Sequence, residues 1–506
     1  MNTQHPIYDM VVIGGGINGA GIACDAAGRG LSVLLCEKDD LASHTSSASS
    51  KLIHGGLRYL EHKEFRLVRE ALAEREVLLK KAPHIIRPMR FIMPHEPHLR
   101  PAWLIRTGLF FYDHLGKREQ LASSNPVEFS DADSPLKSNI TKGFEYSDCT
   151  VDDARLVILN AIQARELGAD IFTHTCCISA QQEHGHWQVQ LENEQGVQIV
   201  HAKVLVNAAG PWVAEFIQKS LKKKSPYGIR LIQGSHIIVP RLYTGDKAFI
   251  MQNDDQRIVF AIPYLNKYTL IGTTDCEYKG DPNQVEISQQ EIDYLLDVSN
   301  DHFKVQLSSS DIVASYSGVR PLCDDESDNP AAVTRDYTLA LSDEEEGFAP
   351  LLSIFGGKLT TYRKLAEAAM MSLKPFFPQM TKAWTEHAVL PGAENFKFID
   401  YLVAEIQGRL KGVDADIAYR WAQAYGTRIW QLLDGTTKMQ DLGQYFGHGL
   451  YAQEIDYLVE QEWAKSSEDI LKRRTKLYLQ FTEVETVELE LYLASLHARR
   501  AQGDAA

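Results

Sequence analysis

An α/β fold carrying a β-rich second domain and a helical C-terminal domain is what the sequence predicts, on three observations. Residues 8–36 run strand, glycine-rich turn, Ala-rich helix and strand without a break, the pattern of a βαβ unit. Between 229 and 274 the pattern changes to short apolar runs (231–239, 257–262, 268–272) separated by polar turns, which reads as a sheet of a second domain. Beyond Pro391-Gly392, apolar residues recur at helical spacing over 398–410, 417–431, 454–465 and 484–497.

The first domain is split in sequence. Residues 203–212 and 351–368 each read as an apolar strand, then small residues, then a helical pattern, like the opening unit. Within 61–81, Phe65, Val68, Leu72 and Leu79 stand at helical spacing among charges, so this stretch is expected to be a helix with one face on a core. The expected boundaries are 1–88, 150–215 and 316–385 for the nucleotide-binding domain, 89–149 and 216–315 for the substrate-facing domain, and 386–506 for the helical domain.

With 506 residues and 44% hydrophobic composition, the chain can bury a large core and divide into several units. Its formal charge of −15, from 52 Lys+Arg against 67 Asp+Glu, excludes a broad polyanion surface, so no nucleic-acid partner is expected. The seven cysteines contain no Cys-x-x-Cys pair and the first 30 residues lack a signal-peptide pattern, from which a reducing, cytoplasmic location is expected. The most apolar stretch, 102–112, is interrupted by Arg106 and is well short of the roughly 20 residues a membrane-spanning helix needs. Any membrane contact is therefore expected to be peripheral. Two segments offer themselves: the aromatic and basic run 100–118, which a buried helix explains equally well, and Lys219-Ser-Leu-Lys-Lys-Lys224, which also reads as a solvated loop.

Chemistry enters with Gly14, Gly16 and Gly19, a Gly-x-Gly-x-x-Gly turn between strand and helix. The missing side chains permit a tight turn, close approach of a pyrophosphate and close helix packing, so the domain is Rossmann-like. Glu37 ends the second strand 18 residues beyond Gly19, where an acid accepts hydrogen bonds from an adenosine ribose. Three further segments favour a flavin dinucleotide, FAD, over NAD. The stretch after the second strand holds Ser46, Ser47, Ser50, Lys51 and Leu52, small or hydroxylated residues suited to a backbone passing close to phosphate and ring. A buried strand ends in small residues that include Ala208 and Gly210. Another ends in Gly356, Gly357, Lys358, Leu359 and Thr360 at a helix start, where amides can face the electron-rich end of a flavin. No metal is expected.

The strings Ser46-Ser-Ala-Ser-Ser-Lys-Leu-Ile-His-Gly-Gly-Leu-Arg-Tyr-Leu60, Asn207-Ala-Ala-Gly-Pro-Trp212, Tyr316-Ser-Gly-Val-Arg-Pro321, Phe355-Gly-Gly-Lys-Leu-Thr-Thr-Tyr362 and Asp469-Ile-Leu-Lys-Arg-Arg-Thr475 resemble the aerobic, respiratory FAD-dependent glycerol-3-phosphate dehydrogenase family, essentially end to end. The resemblance implies an FAD domain of the glutathione-reductase or D-amino-acid-oxidase type with a substrate domain over the flavin ring. It also implies oxidation of glycerol 3-phosphate to dihydroxyacetone phosphate, ubiquinone or menaquinone as acceptor, peripheral attachment to the inner face of the cytoplasmic membrane, and a homodimer.

Such a reaction needs a group to take the hydroxyl proton and fixed cations for an anionic substrate. His54 and His236 are the candidates for the proton, and neither is preferred over the other. Arg58, Arg320 and Arg335 stand in matched strings and suit bidentate phosphate binding. Lys358 could stabilise reduced flavin or an alkoxide, or be a solvated first-turn lysine. Competing readings are a glycerol-3-phosphate oxidase using oxygen, another FAD-dependent hydroxy-acid or amine oxidase, and a flavin-binding protein without catalysis.

Overall fold

The structure, a computed structural model, describes residues 7–61, 63–96, 101–130, 134–255, 257–324, 336–342 and 349–503. Its first sheet grows from strand Ile7–Ile13, which is buried from Met10 onward. A strand covered on both faces must be an uninterrupted apolar run, and Met10-Val-Val-Ile13 is one. Met10 and Val12 face a core shared with helices Ile17–Gly28, Asp153–Glu166 and Tyr362–Ser372, while Val11 and Ile13 face a second core with helix Val213–Lys219 and Trp187. The parallel order runs Leu351–Phe355, Gly196–Asn207, Ile7–Ile13, Val33–Cys36, Asp170–Phe172. Strand Thr338–Ser342 closes one edge antiparallel, and the hairpin Cys176–Glu183 and His186–Asn193 continues from the upstream half of Gly196–Asn207.

The second sheet is mostly antiparallel and has strands Gly228–Pro240, Tyr268–Gly272, Ile258–Tyr264, Ala248–Gln252, Ile86–Pro94 and Lys142–Val151 at its heart. It also takes in Ala314–Asp324, which pairs with Gly228–Pro240 throughout, and Leu52–Ile53, which pairs with Lys142–Val151. The expected boundary at 316 therefore falls inside a strand. An alternating strand carries no mark of which sheet it will join, since its period is the same in either. The segment after the glycine turn and the strand holding Arg320 thus both cross from one sheet to the other, and the space between the sheets is lined from both.

The C-terminal unit is helical, with helices Ile399–Arg409, Ala415–Tyr425, Ala452–Glu462 and Glu483–Gly503 round one core and a π-helical turn Asp469–Arg474. The helix expected over 417–431 is broken at Gly426, whose φ of 53° lies in the left-handed region, and resumes as a short turn Ile429–Leu432. A two-stranded hairpin, Tyr445–Gly447 with Leu450–Tyr451, interrupts the otherwise helical unit. Buried Glu454 ties this unit together, accepting from Arg420, Trp421 Nε1 at 2.9 Å and Tyr425 Oη at 2.6 Å.

The apolar stretch 102–112 is helical, Ala102–His114, but not a core helix. Ile105, Leu109 and Tyr112 turn inward, while Trp103 is 67% exposed and Phe110 58%, with Leu104 and Phe111 beside them. In Lys219–Lys224, Lys219 pairs with Glu215 one helical turn back, as a solvated segment does.

Helices Phe65–Lys81 and Tyr362–Ser372 are joined by a buried fork: Arg363 Nε and Nη2 reach the two Glu74 oxygens at 2.8 and 2.5 Å, both side chains being 1% exposed. Glu74→Gln should leave a buried guanidinium short of charge and cost about 3 kcal/mol. The expected readout is a first thermal transition lowered by several degrees with far-UV circular dichroism unchanged; an unshifted transition would contradict a structural role for the pair.

Candidate active site

A cavity of about 940 Å³ opens between the two sheets. On one side it meets the carboxyl ends of Ile7–Ile13, Gly196–Asn207 and Leu351–Phe355, where ligands bind in open α/β sheets. Gly14, at φ 111°, brings its backbone so near Gly196–Asn207's end that a Cβ would lie 2.5 Å from the Ala208 carbonyl oxygen, and a Cβ on Gly19 would lie 1.9 Å from the Gly14 carbonyl oxygen. No side chain can be accommodated at either place without moving backbone. The turn delivers the N-terminus of helix Ile17–Gly28 to the cavity wall, with Gly16, Ile17 and Asn18 exposed to it and Ile17 N donating to Ser46 Oγ at 3.0 Å.

Most sequence candidates meet here. Gly16, Ser46, Ser50, Leu52, His54, Arg58, Ala208, Gly210, His236, Arg320, Gly356, Gly357, Lys358, Leu359 and Thr360 all line the cavity. Gly14 and Gly19 lie behind it as described. Glu37, 8% exposed, has Oε2 on Gly15 N at 2.6 Å and Oε1 on Asp39 N at 3.0 Å, so it braces the glycine turn from beneath. Ser47 and Lys51, expected on the cofactor, face a second cavity instead. The Lys51 ammonium is buried 3.0 Å from both Asp153 oxygens and 2.9 Å from Ser47 O, a pairing that holds it away from the first cavity. Arg335 lies outside the described residues.

The cations Arg58, Arg320 and Lys358 line the same cavity. Arg58 follows Gly56, whose φ of 70° swings the chain into the short turn Leu57–Leu60. Arg320 projects from its strand with Nη2 on Thr274 O at 3.1 Å and 3.6 Å from Asp275, its side chain 42% exposed. Lys358 follows two glycines at φ 81° and 105°, and its Nζ lies 4.3 Å from the ring centre of Tyr59.

The two histidines differ. His54 is half-buried and borders the cavity; burial holds its pKa below the usual value, Asp148 opposing and Lys358 and Arg75 adding to the shift. His236 is 2% exposed, stacked on Tyr316, with Nε2 2.9 Å from Ser50 Oγ. Burial first, then the charges of Lys51 and Arg320, push it down to about 3. Both rings are therefore neutral at neutral pH.

Some of the site had no sequence signal. Gly55 N, next to His54, donates to Tyr112 Oη at 2.8 Å; Tyr112 donates to Asp148, and Arg75 closes the set at 2.5 Å from Asp148 Oδ1. These residues come from three distant elements, and only the fold joins them. Tyr59, by contrast, follows Arg58 within the Ser46 to Leu60 string, and that position is a signal for it.

The family model for FAD dependent oxidoreductases matches residues 9–363, and that for the C-terminal domain of alpha-glycerophosphate oxidase matches 383–490. A glycerol-3-phosphate dehydrogenase of Pseudomonas aeruginosa is 62% identical over 501 residues, covering 99% of this chain and 98% of that one. The chain belongs to the FAD-dependent glycerol-3-phosphate dehydrogenase family. The aerobic glycerol-3-phosphate dehydrogenase of Escherichia coli is 58% identical over 470 residues, covering 92% of this chain and 93% of its own. The structure of the Bacillus halodurans glycerol-3-phosphate dehydrogenase complexed with FAD superposes with a TM-score of 0.73 at 27% identity, covering 97% of this chain and 94% of that one.

The residues present fit the cofactor of this family. Side-chain-free backbone at Gly16, the helix start at Ile17 and Asn18, the buried Asn18 Oδ1 left without a hydrogen-bond partner, and the left-handed Gly356-Gly357 pair all line the cavity, with Gly14 directly behind them.

Because His236 is held neutral in the folded protein, the unfolded chain takes up a proton first as pH falls below about 6.5. Its contribution to stability is whole above that pH and is lost progressively as pH falls toward about 3. His236→Asn removes this dependence, so the gap in melting temperature between the parent and the variant should narrow from pH 7.5 to 5.5, by the equivalent of about 1 kcal/mol. A gap that stays constant would mean that His236 titrates normally.

Proposed function

We propose that this chain oxidises sn-glycerol 3-phosphate to dihydroxyacetone phosphate on FAD and hands the electrons to a membrane quinone, ubiquinone or menaquinone. The observation that carries the reading is one cavity lined both by a dinucleotide cradle and by the cations Arg58, Arg320 and Lys358. Phosphate dianions are bound best by guanidinium forks, and Arg58 and Arg320 supply two, with Arg335 a third candidate from the sequence.

When bound, FAD supplies the hydride acceptor. Around it, Gly14, Gly16 and Gly19 admit the pyrophosphate, Glu37 sets the turn at the adenosine end, and Ser46, Ser50, Leu52, Ala208, Gly210 and Gly356 to Thr360 flank the remainder. His54, neutral and open to the cavity, is placed to take the C2 hydroxyl proton; His236, with Nε2 engaged by Ser50, is placed to orient the wall beside it. Lys358 sets a positive charge where the alkoxide develops, and Tyr59 fixes its position. The same reading gives the cofactor to the first sheet's domain and the substrate to the second's.

Support for quinone access comes from helix Ala102–His114. Among the described residues no helix is long and apolar enough to cross a membrane. This one shows Trp103 and Phe110 to solvent beside Arg106 and His114, while Leu104, Thr107, Gly108 and Phe111 line the cavity mouth. Such a helix would rest in the headgroup region with the cavity facing the acyl chains. Peripheral attachment at the inner face of the cytoplasmic membrane and a homodimeric assembly belong to the same proposal.

The first test is anaerobic. sn-Glycerol 3-phosphate should bleach the oxidised flavin band and a quinone analogue restore it, whereas unphosphorylated glycerol and a four-carbon polyol phosphate should act poorly. Arg320→Ala should raise KM for the phosphorylated substrate at least tenfold, the loss of about 1.5 to 3 kcal/mol expected of a charge-assisted hydrogen bond. A flavin band untouched by glycerol 3-phosphate would overturn the substrate, and hydrogen peroxide in place of quinone reduction would make the protein an oxidase.

For the membrane, the double variant Trp103→Ser/Phe110→Ser should bind vesicles at least tenfold more weakly while keeping its rate with a soluble acceptor. Undiminished vesicle binding would rule this helix out as the anchor.

A further inference from the structure

The segment that leads from the second strand to the flavin side of the cavity begins at Asp40 and ends at Lys51. Its start packs on the glycine turn: Ala42 N donates to Gly15 O at 3.1 Å, and Ala42 itself is left-handed at φ 62°. Its middle presents Ser46, Ser49 and Ser50 to the cavity. Both its ends are held by buried charge, and that charge leads to the C-terminal unit.

At the first end, Asp40 is 1% exposed and receives two guanidinium groups from the π-helical turn Asp469–Arg474. Arg473 Nε lies 2.5 Å from Asp40 Oδ2; Arg474 donates through Nη2 to Oδ1 at 2.8 Å and through Nη1 to Oδ2. Arg474 also donates to Glu462 O at 2.6 Å, the last residue of helix Ala452–Glu462, so its position is fixed by the C-terminal unit before it meets Asp40. At the other end, Lys51 is paired with Asp153. The preceding Asp152, which caps helix Asp153–Glu166 by accepting from Arg155 N, receives Lys476 Nζ at 3.0 Å. Arg155 in turn makes a fully buried pair with Glu462.

We propose that Arg473 and Arg474 are positioning residues for the cofactor: through Asp40 they make docking of the C-terminal unit and filling of the dinucleotide cradle one coupled equilibrium. The inference rests on the cavity being the FAD site. A buried carboxylate deprived of its cations cannot stay where it is at little cost, because it must either find water or take a proton. Asp40 can reach water only by moving the turn that Ala42 pins to Gly15, and the wall bearing Ser46 moves with it. Coupling of this kind is reciprocal, so FAD must tighten the C-terminal unit as much as that unit tightens FAD.

The test measures FAD affinity in the full-length protein by release and rebinding of the flavin. Arg474→Gln is expected to raise the FAD dissociation constant at least tenfold, Arg474→Lys less, and an excess of FAD should return kcat with KM for glycerol 3-phosphate unchanged. Glu454→Gln, which disturbs the C-terminal core without touching Asp40, should lower the melting temperature and leave FAD affinity as it was. Unchanged FAD affinity in Arg474→Gln, or an equal loss in Glu454→Gln, would overturn the proposal. If Arg474→Gln does not fold, hydrogen exchange of the unaltered protein decides: FAD should slow exchange across 462–476, and indifference of that segment to FAD would refute the coupling. A parent protein that binds no flavin would instead remove the cofactor reading on which the inference stands.

Discussion

Everything at the centre of this protein depends on backbone meeting backbone between Ile13 and Ile17. The place where a Cβ of Gly19 would sit is 1.9 Å from the Gly14 carbonyl oxygen, and that of a Gly14 Cβ is 2.5 Å from the Ala208 carbonyl oxygen. With side chains absent, the helix N-terminus and the ends of strands Val33–Cys36 and Gly196–Asn207 come within reach of one ligand. Glu37 holds the turn from below through Gly15 N, and the segment from Asp40 to Lys51 wraps over it. Gly16, Ile17 and Asn18 place the helix start at the cavity, and a helix N-terminus so placed favours a phosphate there.

Round this turn the protein uses buried charge to fix distances between elements far apart in sequence. Arg363 with Glu74, Arg75 with Asp148, Lys51 with Asp153 and Arg155 with Glu462 each join two elements, and each pair is almost wholly withdrawn from water. Pairs of this kind add little net stability over apolar packing, but they penalise any arrangement in which one partner is missing. They are therefore better understood as constraints on position. Asp148 illustrates it: with Arg75 and Tyr112 it fixes the Gly55 amide, and so the direction in which His54 and Arg58 leave the chain.

The cavity itself separates charge by function. Burial, with cations nearby, keeps two histidines neutral, while Arg58, Arg320 and Lys358 line the cavity without burying their charge completely. A neutral imidazole retains a lone pair for a proton, and cations that remain partly hydrated can meet a dianion without having first incurred the full cost of desolvation. Helix Ala102–His114 joins this interior to the surface: Tyr112 reaches Gly55 on one face, and Trp103 and Phe110 lie open on the other.

The sequence by itself determined the βαβ start, the three glycines, Glu37, the paired glycines at 356 and 357 and the helical C-terminal unit. Each is a local pattern: a strand of period two or fully apolar, a helix of period 3.6, or a backbone turn only glycine can make. Arg58, Arg320 and Lys358 were legible for a different reason, because they stood inside strings that resembled a family. Tertiary structure alone decided that Lys51 faces Asp153 and away from the large cavity, that the strand of Arg320 joins the second sheet, and that Arg473 and Arg474 close on Asp40 across more than four hundred residues. Whether a charged side chain meets a ligand, water or an opposite charge is settled by what the fold brings to its tip, and no local period of the chain records that.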